Sequence, residues 1–285
     1  MRTYSGFDSR TRWIILGMLA PACVLWVILV AWPLSEMVRL SFVKTNYITE
    51  TYVELANYAR ILRDPVFLRA VANSLWYILI LVPLTTGSAL ALTMVARDLS
   101  EPWKRVARLI LYIPLIAAGL IMAQAWKWVY HIDGPLNWLI GLAGAEPVVW
   151  MRRGFTAIPA VSLPVAAGGM GGIFIIFLAA TTAVDAELYD AAKIDGASRR
   201  QIAWKIVFPA ILPIVLSMAL VNAIAAPQVF ENIYALGPYE HVATVGFAIY
   251  QEAFVMSRHG TAAAMSVLLM AAMMGLGWIR TRLSR

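Results

Sequence analysis

Six apolar stretches divide the chain, near residues 13 to 34, 70 to 96, 107 to 130, 157 to 182, 206 to 228 and 261 to 279. A helix needs about 20 apolar residues to cross the hydrocarbon core of a bilayer, so each stretch is long enough, or nearly so, to span it. The pattern predicts an all-α membrane protein of six transmembrane helices forming a single domain over residues 1 to 285. The first run is longer than the core of a secretory signal and lacks a small-residue cleavage pattern before Pro33, so it is taken as a retained span.

The polar intervals differ in character. Residues 97 to 106 form a short connection, and residues 183 to 205 form the larger polar segment on the same side. Within the latter, a helix of about two turns ends at Gly196, a residue suited to the left-handed position beyond a helix C-terminus. Ser198 and Gln201 then supply an S-x-x-Q capping box that opens a new helix. Two helices therefore meet at a tight corner, with Ala191 and Ala192 on the first and Asp190, Lys193 and Asp195 around them. On the opposite side, residues 35 to 69 mix charges with aromatics and predict a short interfacial helix before the second span. Residues 131 to 156 carry the turn signal Gly134-Pro135, with Trp138 and Trp150 as headgroup anchors. Residues 231 to 260 read as a polar interlude with Gly237-Pro238.

Composition supports the membrane assignment. Hydrophobic residues make up 61% of the chain and charged residues 14%, against roughly 25% charged in a soluble domain. The net charge of +7 comes from 23 Lys and Arg against 16 Asp and Glu. These cations form no stripe interleaved with aromatics, so nucleic acid is not indicated. With the N-terminus inside, 14 of the 23 basic residues fall on inside segments with seven acids, and the other nine are matched by nine acids outside. The whole excess is then cytoplasmic, which predicts both termini inside. The single cysteine, Cys23, sits in an apolar run and reads as a small buried residue; no intrachain disulfide can form.

The chain lacks the groups that an enzyme would need. His131, His241 and His259 fall in outside loops without metal-ligand spacing. No Gly-Lys-Ser or Gly-Lys-Thr occurs, so there is no Walker A phosphate loop. Apart from Lys127, near the outer end of the third span, the span interiors carry no obvious acid or base of the kind a proton-coupled carrier places at the midplane.

Neutral polar groups do occur within the bundle. Thr85, Thr86 and Ser88 lie in the second span, Gln124 in the third and Asn222 in the fifth, followed by Pro227, Gln228, Glu231 and Asn232. Residues 228, 231 and 232 share one face if the helix continues past Pro227. Gln124, Asn222, Gln228, Glu231 and Asn232 are therefore candidates to line a path for a hydroxyl-rich solute. The alternative is that they bond a neighbouring helix or mark the exit into water. Trp126 and Trp128 have two readings as well, stacking on sugar rings or anchoring at the interface. Pro83 and Pro114 predict kinks, and Gly168-Gly169-Met170-Gly171-Gly172 predicts either close helix packing or a bend.

Asp190-Ala191-Ala192 with Asp195-Gly196-Ala197, then Ile206-Val207-Phe208-Pro209 and Pro213, resembles the EAA loop of inner-membrane permeases in binding-protein-dependent ABC importers. Nearly the whole chain is similar to the carbohydrate branch of that family. Asn57-Tyr58, Asp64-Pro65 and Asn73-Ser74 resemble its approach to the second span. Trp126-Lys127-Trp128 with Gly134-Pro135-Leu136-Asn137, and Leu236-Gly237-Pro238 with Tyr250 and Ala253-Phe254, resemble its outer segments. Asp190 replaces the family's leading Glu, Phe208 its usual Leu, and the extra Gly before the outer Gly-Pro is Leu236.

The resemblance implies a type I ABC importer permease fold in a bacterial or archaeal cytoplasmic membrane, importing a sugar, with a di- or oligosaccharide favoured over glycerol phosphate or a polyol. It implies as partners a second permease subunit, two ATP-binding subunits and an external solute-binding protein, with lipid around the spans. ATP and Mg would be held by the partner ATPase and no cofactor by this chain. Asp190, Ala191, Ala192, Lys193, Asp195, Gly196 and Ala197 would form the ATPase-coupling loop. The reading from another class is a secondary carrier that needs no ATPase.

Overall fold

The computed structural model describes residues 9–45, 49–116, 119–152, 154–237, 239 and 241–283. Pro238 of the outer Gly-Pro pair lies outside the described residues. Among them, five helices are long and apolar enough to cross a membrane, or six if one sharply bent pair counts as a single span.

Helix α1 runs from Ser9–Trp26 through a wider π-type turn, Val27–Ala31, into Trp32–Ser41. None of its most apolar window is buried within the chain, and Cys23 is exposed rather than buried. A face of Trp, Leu and Ile left outside the fold is what lipid solvates. An antiparallel hairpin follows, β1 (Val43–Thr45) and β2 (Glu50–Tyr52), with Lys44 opposite Thr51. The expected short interfacial helix is α2, Ala56–Ile61.

The second span, α3, covers Pro65–Ala96. Asp64 caps it by accepting from Val66 N at 2.8 Å, and Pro65 stands at the first helical position, where its missing N–H costs nothing. Pro83 loosens the helix as expected, opening a π-type turn over Val82–Gly87 that buries Thr85 and Thr86.

The third apolar stretch departs from expectation. The 107 to 130 run is not one straight helix but two, α4 (Glu101–Ile116) and α5 (Gly119–Val129), set at 98° to each other, which make either one broken span or a re-entrant pair. Pro114 stands inside the last turn of α4 and Gly119 opens α5, so poor helix formers flank the break. Hydropathy measures the length of an apolar run, not its direction. After α6 (Pro135–Leu142), α7 runs unbroken over Gly154–Thr182 through all four glycines, although Pro159 and Pro164 lie within it. Close packing is the role of Gly171 and Gly169 within the cluster, whereas Gly168 faces open space. A side-chain carbon at Gly171 would overlap the Leu111 carbonyl of α4, and one at Gly169 would meet Thr85 Cγ2 of α3 at 3.3 Å.

Helix α8 (Ala186–Ile194) forms the corner with α9, which spans Arg199–Gln228. The loop expected at 183 to 205 is thus shorter, since Arg199 to Lys205 already belong to α9. Helices α10 (Glu231–Leu236) and α11 (Val245–Val255) fill the 231 to 260 interval, and α12 covers His259–Leu283. That interval is not a polar surface. Val245, Phe247 and Ala248 are buried, and Phe247 joins a cluster with Tyr77, Val161 and Ile233. A second cluster of Ala89, Phe174, Phe177, Ile211 and Val215 joins α3, α7 and α9 nearer the corner.

Three asparagines hold the irregular backbone of the end opposite the corner. Asn57 donates to Ser41 O at 2.9 Å and Val43 O at 3.0 Å. Asn73 donates to His241 O at 3.2 Å and Ala243 O at 3.0 Å. Asn137 donates to His131 O at 3.0 Å and Val148 O at 3.1 Å, and accepts from Trp150 Nε1 at 3.2 Å. Each amide satisfies two carbonyls that no helix or strand serves. Trp150 is thereby drawn into this loop packing, 6.0 Å from the Tyr130 ring, while Trp138 stays exposed as an anchor would.

Candidate functional site

The corner is built as its local residues dictate. Gly196 adopts φ +74°. Its N–H donates to Lys193 O at 3.0 Å while Ala197 N–H donates to Ala192 O at 2.9 Å, the paired bonds of a Schellman termination. Ser198 Oγ then accepts from Gln201 N at 3.3 Å, and Gln201 Oε1 from Ser198 N at 2.7 Å, closing the capping box.

Helix α8 has two faces. Tyr189 and Ala192 pack inward against Ile202 and Val207, joined by Met94, Ala197 and Ile206. Tyr189 Oη donates to Thr181 O at 3.3 Å, and burial pushes its phenol above the ordinary value, which keeps the donor protonated. The outward face carries Glu187, Asp190, Ala191 and Ile194, beside Leu188. Ile194 is 87% exposed. Asp190 and Lys193 pair at 3.0 Å in the open, an ion pair of small energetic weight. Asp195 is exposed at the C-terminal cap.

Of the five path candidates, three lie on one pair of helices packed against each other. Gln124 lies on α5 and Glu231 and Asn232 on α10, and these two helices pack together. The Glu231 carboxylate lies against Gly119, and Asn232 keeps a buried Oδ1 with no partner among the described residues. The shared helical face of residues 228, 231 and 232 does not exist. The helix tightens into a single turn over Ala226–Gln228, breaks at Val229 and Phe230, and restarts at Glu231. Pro227 cannot donate the bond that would continue the helix. Gln228 instead donates back to Ile224 O at 3.0 Å. Asn222 donates to Thr86 Oγ1 of α3 at 2.9 Å, the helix-to-helix bond that was the alternative to a lining role.

Two features have no local signature in the sequence. The first is a run of rings around α10 and α11, in which Phe230 lies 4.5 Å from Tyr250 and Phe247 lies 4.9 Å from Tyr239. The second is a cavity of about 430 Å³ beside it, lined by Arg69, Asn73, Tyr239, Phe247 and Gln251 among others. It combines ring faces, amides and one cation. Spacing between 69 and 251 cannot reveal such a pairing, because it forms only when α3 and α11 pack.

The described residues form a polytopic helical bundle with one protruding, two-faced corner, which defines a multi-pass membrane protein. Comparison with known proteins agrees. Residues 84–285 match the family of the binding-protein-dependent transport system inner membrane component. The sn-glycerol-3-phosphate transport system permease protein UgpA of Brucella abortus biovar 1 (strain 9-941) is 30% identical over 91% of this chain and 90% of its own length. The sulfoquinovosyl glycerol transport system permease protein SmoG of Agrobacterium fabrum (strain C58 / ATCC 33970) is 27% identical over 96% and 94%. A chain of a bacterial alginate ABC transporter, crystallised with an alginate pentasaccharide-bound periplasmic protein, superposes with a TM-score of 0.85 at 20% identity, covering 97% of this chain and 95% of that one. That likeness establishes the fold.

The chain belongs to the binding-protein-dependent transport system inner membrane component family. It is a multi-pass permease of the cytoplasmic membrane.

Proposed function

We propose that this permease forms one part of the membrane path of an ATP-driven importer for a sugar, a di- or oligosaccharide in preference to glycerol phosphate or a polyol. It pairs with a second permease subunit, receives solute from an external binding protein, and is driven by two ATP-binding subunits that hold the ATP and Mg. The single observation that carries this reading is the outward strip of α8. Leu188, Ala191 and Ile194 expose apolar surface on a helix whose C-terminal end is closed by its own bonds. Among the described residues nothing covers that strip, and apolar surface presented beyond the bundle fits burial against another protein.

In this reading both termini and the corner face the cytoplasm, as the excess of basic residues on that side favours. ATP closes the partner dimer and pulls α8, Tyr189 and Ala192 pass the displacement to α9 through Ile202 and Val207, and the spans rock to open the path outward. Hydrolysis resets it. Asp190, Lys193 and Asp195 supply polar contacts around the apolar strip. Asn232, Gln124 and Glu231 on α10 and α5 are the favoured path residues, since the unpartnered Asn232 acceptor suits a sugar hydroxyl.

The test is purification in mild detergent followed by uptake into proteoliposomes. Copurifying ATPase subunits and uptake that requires ATP and the binding protein support the proposal. Transport by this protein alone without ATP would support the carrier reading instead.

A further inference from the structure

Beneath the corner, where α3 ends, the side chain of Arg97 is only 6% exposed. Its Nη2 donates to Arg199 O at 3.0 Å. Nε and Nη1 are buried with no hydrogen-bond partner among the described residues, although Asp98 Oδ1 lies 3.4 Å from Nε. Buried donors on a charged group are seldom left unserved, and an unserved one points to an absent acceptor.

These donors belong to a residue lining a cavity of about 230 Å³ that also contains Asp98, Glu101, Lys104, Arg108 and Thr182. Glu101 is shared by Lys104 at 3.1 Å and Arg108 at 3.7 Å. Three cations face two carboxylates, which leaves one positive charge for an incoming anion. The surroundings indicate depth. On the same turns of α4, Trp103, Val106, Leu109 and Ile110 are exposed. A helix start that shows Trp and aliphatic side chains on one side and cations on the other matches the headgroup level of a bilayer.

We propose that this cavity binds the phosphodiester headgroup of an acidic phospholipid. The phosphate oxygens accept from Arg97 Nε and Nη1, Lys104 and Arg108 screen its charge, and the acyl chains leave the cavity into the surrounding bilayer. Because Arg97 also holds the Arg199 carbonyl, lipid at this site fixes the start of α9 against α3. Basic pockets between membrane helices are suited to such headgroups. The site rests on the chain's place in the membrane and not on which solute it carries.

Native mass spectrometry of the detergent-purified complex tests the site, with phosphatidylglycerol and phosphatidylcholine added in parallel. Phosphatidylglycerol is expected to be retained preferentially. Lys104→Gln and Arg108→Gln, which leave Arg97 in place, should each weaken that retention about fivefold, the change for one cation at an anionic surface. Lys44→Gln, on the hairpin, should leave it unchanged. Equal retention of both lipids, or retention indifferent to the Lys104 and Arg108 variants, overturns the proposal. Inorganic phosphate that displaces phosphatidylglycerol at equal concentration would assign the site to a soluble anion and also overturn it.

Discussion

Asn222 of α9 donates from Nδ2 to Thr86 Oγ1 of α3, 2.9 Å away across the middle of the bundle. Thr86 is buried, so the bond forms where water is scarce. Asn222→Ala is expected to cost about 1 kcal/mol of stability. Thr86→Val should cost a similar amount, and the double variant little more than either. A thermal unfolding cycle checks this; fully additive losses would show that the two side chains act separately.

Gly196 has open space where a Cβ would project, so its constraint is conformational rather than steric crowding. At φ +74° a β-branched side chain is strained by roughly 1–2 kcal/mol. Gly196→Val should insert in the membrane yet lose coupling between ATP hydrolysis and uptake. Gly196→Asn, which tolerates the left-handed region, should retain much of it. Transport at the wild-type rate by the Val variant would remove the corner from the mechanism.

Ile194 projects from α8 with almost no support from its own chain. Ile194→Glu should therefore leave folding within about 0.5 kcal/mol of the parent, as for a surface substitution, while weakening association with the ATPase at least tenfold. Coelution during size-exclusion chromatography measures this, and unchanged coelution would place the docking surface elsewhere.

Gly171 lets α7 approach the Leu111 carbonyl of α4 more closely than any side chain permits. Gly171→Val should lower the yield of folded protein sharply, whereas Gly168→Ala, with nothing within 4 Å, should be tolerated. Fluorescence-detected chromatography of the two variants separates the cases.

Hydrogen bonds from Arg39 hold the Glu50 carboxylate below its ordinary pKa, with Nη1 donating to Oε2 at 2.9 Å. A depressed folded value means that the contact is intact above the usual carboxylate range and is lost as pH falls through the lowered value. Hydrogen exchange of the β1–β2 hairpin should accelerate there. Glu50→Gln should remove that pH dependence.

Features encoded by neighbouring residues were legible in the sequence. The Gly196 termination and the Ser198–Gln201 box each lie within a few positions, and the structure reproduces them, as it does five of the six apolar runs. The 98° turn between α4 and α5 was hidden because apolar character continues across it. The break after Gln228 was signalled by Pro227, but the Thr244 Oγ1 hydroxyl that donates to the freed Val229 carbonyl at 2.6 Å lies 15 residues distant. Arg97 counted in the sequence only as one more inside cation. Its bond to the Arg199 carbonyl, 102 residues away, is one that no local pattern reports.

The three amide forks at Asn57, Asn73 and Asn137 have a further consequence. In each, the side-chain nitrogen faces two carbonyl oxygens at once. An aspartate has nearly the same outline but no hydrogen to give, and its charge would stand against both oxygens. The gentlest change by shape is thus the harshest by chemistry, and the contour of the whole end opposite the corner depends on three nitrogen atoms.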